Sequence, residues 1–223
     1  MTSVDALLEE LASLADPKIL AVNEKHGDAH SVNLTKLRAV AKREKANPAL
    51  ATELWNTADP NARLLALLLA RPKQFSRDDL DRMLREARLP KVQDWLVNYI
   101  VKKSAHKEEL RLVWIDDPDP VVASAGWALT SERVAKAPEK PTPLDMPGLL
   151  DTLEAQMKAA PERLQWAMNE CLATIGIEHP ELRARALAIG ERLEVLKDYP
   201  TPPNCTSPFA PVWITEIVRR REG

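Results

Sequence analysis

The chain has 223 residues, 45% of them apolar and 29% charged, and its 31 basic and 33 acidic side chains leave a formal net charge of −2. That length favours one domain, and the apolar share excludes an intrinsically disordered chain. The near-neutral charge excludes a uniformly basic nucleic-acid binder, so contact with a polyanion would need a local basic face.

Leu7, Leu8, Leu11 and Leu14 recur at helical spacing and predict a helix from Ser3 to about Ala15. Pro17 interrupts it, with room for helix behind. The polar stretch Lys25 to Ser31, with Gly27, reads as a loop. Asn33 caps LTKLRAVAKREKA. Pro48 and Pro60 sit where a first turn tolerates proline and open ALATELWNTA and NARLLALLLAR. Ser76 caps RDDLDRMLREA, with acids early and Arg85 and Arg88 late, the order the helix dipole favours. Pro90 opens a helix through KVQDWLVNYIVKK, and helices over 105–114 and 120–134 follow. APEKPTP, at 137–143, breaks the pattern as a linker that can join neighbouring repeats as easily as two domains. DMPGLLDTLEAQMKAA, PERLQWAMNECLATIG and HPELRARALAIGERLEVL are helical; the Pro-rich stretch 198–211 is extended; Trp213 to Arg221 is a last short helix.

No segment alternates apolar and polar residues as a sheet would, so the class is all-α. Consecutive helices with short, Pro-marked turns read as stacked helix pairs, an α-α superhelix forming one domain over 1–223. Asp16-Pro17, Asn47-Pro48, Asp59-Pro60, Asp117-Pro118 and Asp119-Pro120 punctuate it at irregular spacing, as in a degenerate repeat.

Cys171 and Cys205 lie far apart and match no metal spacing, which reads as an intracellular, reduced chain. The start, MTSVDALLEELASL, carries acids where a secretory signal carries Lys or Arg, and no apolar run is long enough to span a membrane. A cytoplasmic protein without metal or cofactor is the expectation. His26 and His30 have metal-like spacing but lack a third ligand. No Gly-rich phosphate loop or nucleophile elbow is present.

Trp55 and Arg63 read as packing residues. Trp95, Trp127 and Trp166 fit either core or pocket, and Asn98 and Asn169 either a hydrogen-bonded structural role or the same pocket. Asp94 is a solvated helix residue, a partner for Lys91, or a catalytic acid. Arg38, Lys42 and Lys45 share one helical stripe, a solvated face or a phosphate contact that Lys91, Lys102 and Lys103 would extend.

Four patches together resemble the DNA alkylation repair family, the HEAT-repeat DNA glycosylases. They are His30 to Lys42, with Leu37-Arg38 and Ala41-Lys42; Glu53-Leu54-Trp55 followed by Ala62-Arg63-Leu64-Leu65-Ala66; Trp114, Asp117 and Asp119 leading to Ala125-Gly126-Trp127-Ala128-Leu129; and Ala167-Met168-Asn169 with Ile175-Gly176, Ala186 to Leu193 and Cys205. Their order holds over roughly residues 30 to 215. The resemblance implies a C-shaped stack of HEAT-like helix pairs whose basic concave groove holds duplex DNA. It implies excision of cationic N3- and N7-alkylated purines without metal or cofactor. It implies a pocket of two tryptophans, an arginine and an aspartate, the last stabilising positive charge on the sugar. The chain departs from that pocket. The Trp–Asp pair falls at Asp94 and Asn98, or one residue on at Trp95 and Tyr99; Val121 to Ala125 holds no Arg; and Trp166 stands about a turn before the expected late tryptophan. Three readings follow: a glycosylase, a DNA-binding relative without catalysis, and a HEAT-like scaffold that binds a protein partner.

Overall fold

The computed structural model describes residues 2–223. It is all-helical, and among the described residues β pairing is limited to one isolated bridge between Ala15 and Val32. No helix among them is long and apolar enough to cross a membrane. The chain divides into two compact units, the first ending at Lys107 and the second running from Glu108 to Gly223. The 137–143 segment lies inside the second unit and holds no helix.

The first unit holds α1 (Val4–Leu14), α2 (Pro17–Glu24), α3 (Leu34–Glu44), α4 (Pro48–Asn56), α5 (Pro60–Leu69), α6 (Arg77–Glu86) and α7 (Pro90–Trp95). The Asx-Pro pairs of this unit prove to be helix starts. Asp16, Asn47 and Asp59 each accept a hydrogen bond from a first-turn N–H while the following proline, which has no N–H to lose, takes the first helical position. Ser76 and Asp79 form a reciprocal capping box on α6. α5 has almost no water-facing side: Leu64, Leu65, Ala66, Leu67 and Leu69 are at most 2% exposed, and α1, α3, α4 and α7 pack around it. Arg63 stacks 4.8 Å over the Trp55 ring and donates to the carbonyls of Trp55 and Glu86, while Trp55 Nε1 donates to Glu86 Oε2. The Leu-Trp and Ala-Arg-Leu-Leu-Ala patches are therefore a lock between the ends of α4 and α6.

The helix expected over 90–103 is not uniform. α7 stops at Trp95, a wide π-type turn spans Leu96–Ile100, and a tight 3-10 turn spans Val101–Lys103. The Val101 N–H is shared between the carbonyls of Leu96 and Val97.

The second unit holds α8 (Lys107–Trp114), whose first residue belongs to the first unit, α9 (Pro120–Lys136), α10 (Met146–Gln156), α11 (Glu162–Glu178), α12 (Pro180–Leu193) and α13 (Ala210–Glu222). α11 is its hub, with α9, α10, α12 and α13 packed on it. α13 starts earlier than expected because Pro211 seats its first turn. Gly126 is required: a Cβ there would lie 2.4 Å from the backbone nitrogen of Ile115, so α9 could not approach the end of α8. Asp119 caps α9, whereas Asp117 lies in the turn before it and accepts from the Asp119 N–H at 2.9 Å.

Glu108 is clasped by two nearly buried arginines, Arg111 and Arg133. Burial opposes ionisation of Glu108, but the hydrogen bonds and charges of Arg111 and Arg133 outweigh it and hold the carboxyl below its ordinary 4.5. The unfolded chain then takes up this proton at a higher pH than the folded chain. The resulting stability is complete above the ordinary value and is lost as acid titrates the folded carboxyl. Glu108→Gln, which leaves two buried cations without a counter-ion, is expected to cost about 3 kcal/mol at neutral pH in urea unfolding. It should also flatten the fall in stability as the pH drops below Glu108's ordinary 4.5; an unchanged acid slope would remove Glu108 from this role.

Candidate nucleic-acid interface

Two buried side chains fix where the elements that carry the site begin. Asn61, on α5, accepts from the N–H groups of Ser31 and Val32 at 3.0 and 2.9 Å and so holds the stretch of chain that leads into α3. Asp28 accepts from the Lys91 N–H at 2.8 Å and fixes the start of α7. The 25–31 loop between them turns on Gly27, at φ 75°, a conformation that favours glycine. His30 is buried there. Burial holds its pKa below the usual value, and its Nε2 lies 3.0 Å from Asn23 Nδ2. That contact suits a neutral ring accepting from the amide. Among the described residues no group of three or more His, Cys, Asp or Glu side chains could hold a metal ion.

With the starts of α3 and α7 held in this way, Arg38 of α3 meets Trp95 of α7. Its guanidinium carbon stands 5.0 Å from the Trp95 ring centre, and Nη2 donates to Tyr99 Oη at 3.4 Å. Trp95 and Tyr99 pack with ring centres 5.1 Å apart and planes tilted by 55°. Lys103 Nζ lies 5.8 Å over the Tyr99 ring. Trp95, Tyr99 and Lys103 follow one another at spacing four, so the register that gave Trp95 and Tyr99 in the sequence is the one that meets Arg38. Trp95 is 7% exposed, Tyr99 half-buried and Arg38 exposed.

The other expected residues fall in several places. Asp94 and Asn98 are exposed; Asn98 Oδ1 accepts from Lys102 Nζ at 2.8 Å. Lys42 and Lys45 are found further along α3, Lys45 as its C-cap. In the second unit Trp127 is 3% exposed within the apolar core, and Asn169, 1% exposed, donates to the Pro208 carbonyl at 2.8 Å. Trp166 instead meets Tyr199 edge-on at 5.1 Å and lines a cleft of about 240 Å³ with Pro200, Pro202 and Trp213. Cys205 also borders this cleft, whereas Cys171 is fully buried and its thiol is pushed far up by burial.

Electrostatically the candidate cations differ from most arginines of the chain. Arg43 is paired with Glu10, Arg82 with Asp79 and Glu86, Arg185 with Asp151 and Glu154, and Arg221 with Glu178. Arg38, Lys42, Lys45, Lys91, Lys102 and Lys103 have no carboxylate within ion-pair distance among the described residues. Their charge is therefore not cancelled locally.

Residues 7–213 match the family described as DNA alkylation repair enzyme. The chain belongs to that family. Among relatives, it is 24% identical over 199 residues to the uncharacterized protein Lmo0209 of Listeria monocytogenes, covering 84% of each chain. It is also 24% identical over 199 residues to the uncharacterized protein Lin0241 of Listeria innocua, again covering 84% of each. Among solved structures it is similar to one described as a new family of proteins related to the HEAT-like repeat DNA glycosylases with affinity for branched DNA structures. That likeness has a TM-score of 0.80 at 23% identity and covers 99% of this chain and 95% of the other. The fold is thus a HEAT-like helical repeat.

The burial pattern separates scaffold from surface at the site. Trp95→Ala is expected to lower stability by about 3 kcal/mol, since it empties a buried aromatic position. Asn98→Ala should stay within about 0.5 kcal/mol of the parent chain. Urea midpoints measure both; equal effects would contradict the assignment of Trp95 as support and Asn98 as surface.

Proposed function

We propose that this protein binds DNA through the phosphate backbone, using cations of the first unit that have no carboxylate partner: Arg38 and Lys103 on the aromatic rings, together with Lys42, Lys45, Lys91 and Lys102. The observation that carries this reading is that the six cations have no carboxylate within ion-pair distance among the described residues, while two of them lie over aromatic rings. Backbone binding of this kind needs no uniformly basic chain, only a local cluster. Double-stranded DNA is the expected ligand, and the branched-DNA affinity of the structural neighbour supports including junctions in the test. Binding of a duplex and of a four-way junction should weaken steeply as salt rises. Arg38→Ala with Lys103→Ala should lower the slope of log K against log salt by about 2, near 0.9 per phosphate contact. Binding that ignores salt, or a double variant with the parent slope, would count against the reading.

Membership of the family favours a second reading, excision of N3- or N7-alkylated purines by hydrolysis of the N-glycosidic bond. Asp94 is the exposed carboxylate next to Trp95 and is the acid this reading assigns. The pure protein would then release N3-methyladenine or N7-methylguanine from alkylated duplex, and Asp94→Asn would abolish the release. Release that survives Asp94→Asn rejects that acid, and no release at high enzyme, with duplex binding retained, leaves backbone binding alone.

A further inference from the structure

We infer that Arg38 acts as the resident cation of the Trp95–Tyr99 pair and thereby sets the ligand of this surface as an anion, a phosphodiester, while excluding a cationic base; the inference rests on the DNA-binding reading above. The face of an aromatic ring attracts a cation within about 6 Å of its centre. Here both rings already have one. Arg38 lies 5.0 Å over Trp95, and Lys103 lies 5.8 Å over Tyr99. A positively charged base coming to either ring would displace one cation and meet the other.

The same geometry prepares Arg38 for a phosphate. A carboxylate partner would fix the guanidinium but cancel its charge; an aromatic partner fixes it and leaves the charge in place. Only Nη2 is engaged, by a long hydrogen bond to Tyr99 Oη. Nε and Nη1 make no hydrogen bond among the described residues, so donors of the planar fork remain for the two oxygens of a phosphodiester. Tyr99 and Trp95 are positioning residues in this scheme. The wide turn at Leu96–Ile100 contains Tyr99, and the tight turn after it contains Lys103.

The test uses nucleosides, so it does not depend on DNA binding. Binding of 1-methyladenosine, a cation at neutral pH, is compared with that of neutral adenosine for the full chain, Arg38→Ala, Arg38→Gln and Arg38→Ala with Trp95→Leu. The parent chain should show no preference for the cation. Both single variants should gain a preference of about fivefold, within the range of a ring–cation contact, and Trp95→Leu should erase it. Arg38 is exposed, so its replacement is compatible with folding, which circular dichroism checks. A parent chain that already prefers the cation, or single variants that gain nothing, would overturn the inference even if salt-dependent DNA binding stands. A normal nucleoside result with no DNA binding by the parent chain would instead overturn the reading on which it rests.

Discussion

The near-complete burial of α5 is the constraint from which the site follows. A helix with no water-facing side must be covered all round, and α3 and α7 are two of the elements that cover it. Covering it from these sides brings Arg38 and Trp95 together although the rest of α3, all of α4 to α6 and their turns separate them in sequence. Asn61 ties α5 to the segment leading into α3, and Asp28 ties the 25–31 loop to the start of α7. The hydrophobic effect places the elements; two buried polar side chains set where they begin.

Charge is handled in two ways on this chain. Over much of its surface, arginines meet carboxylates, and these exposed pairs add little stability while cancelling the local field. Around Trp95 the partners of the cations are aromatic rings and an amide oxygen, which hold a cation without neutralising it. A net charge of −2 therefore does not by itself say where charge is cancelled, since several of the acids are held by arginines such as Arg43 and Arg82.

Much of the scaffold was legible along the chain. The Asx-Pro pairs announce helix starts because the two residues solve complementary problems of a first turn. All three pairs in the first unit do so, as does Asp119-Pro120 in the second. The family patches are also explained by packing: Trp55 and Arg63 lock helix ends, and Gly126 permits α9 to touch backbone. The site was less legible. Trp127 and Asn169 had the composition of a pocket, yet one joins an apolar core and the other serves a carbonyl of the Pro-rich segment. Spacing alone does not say whether a tryptophan faces its own helix neighbours or a partner from another element.

Periodicity, capping chemistry and the scarcity of sheet-forming pattern determined the all-helical repeat and nearly every helix start, because these depend on residues within one turn of each other. Tertiary structure decided the rest. It broke the expected long helix at Leu96, where a wide π-type turn replaces the regular helix. It also chose Arg38, from a stripe of three similar cations, as the one to lie over Trp95. Contacts between distant segments are settled by how buried faces fit, and no local pattern records that fit.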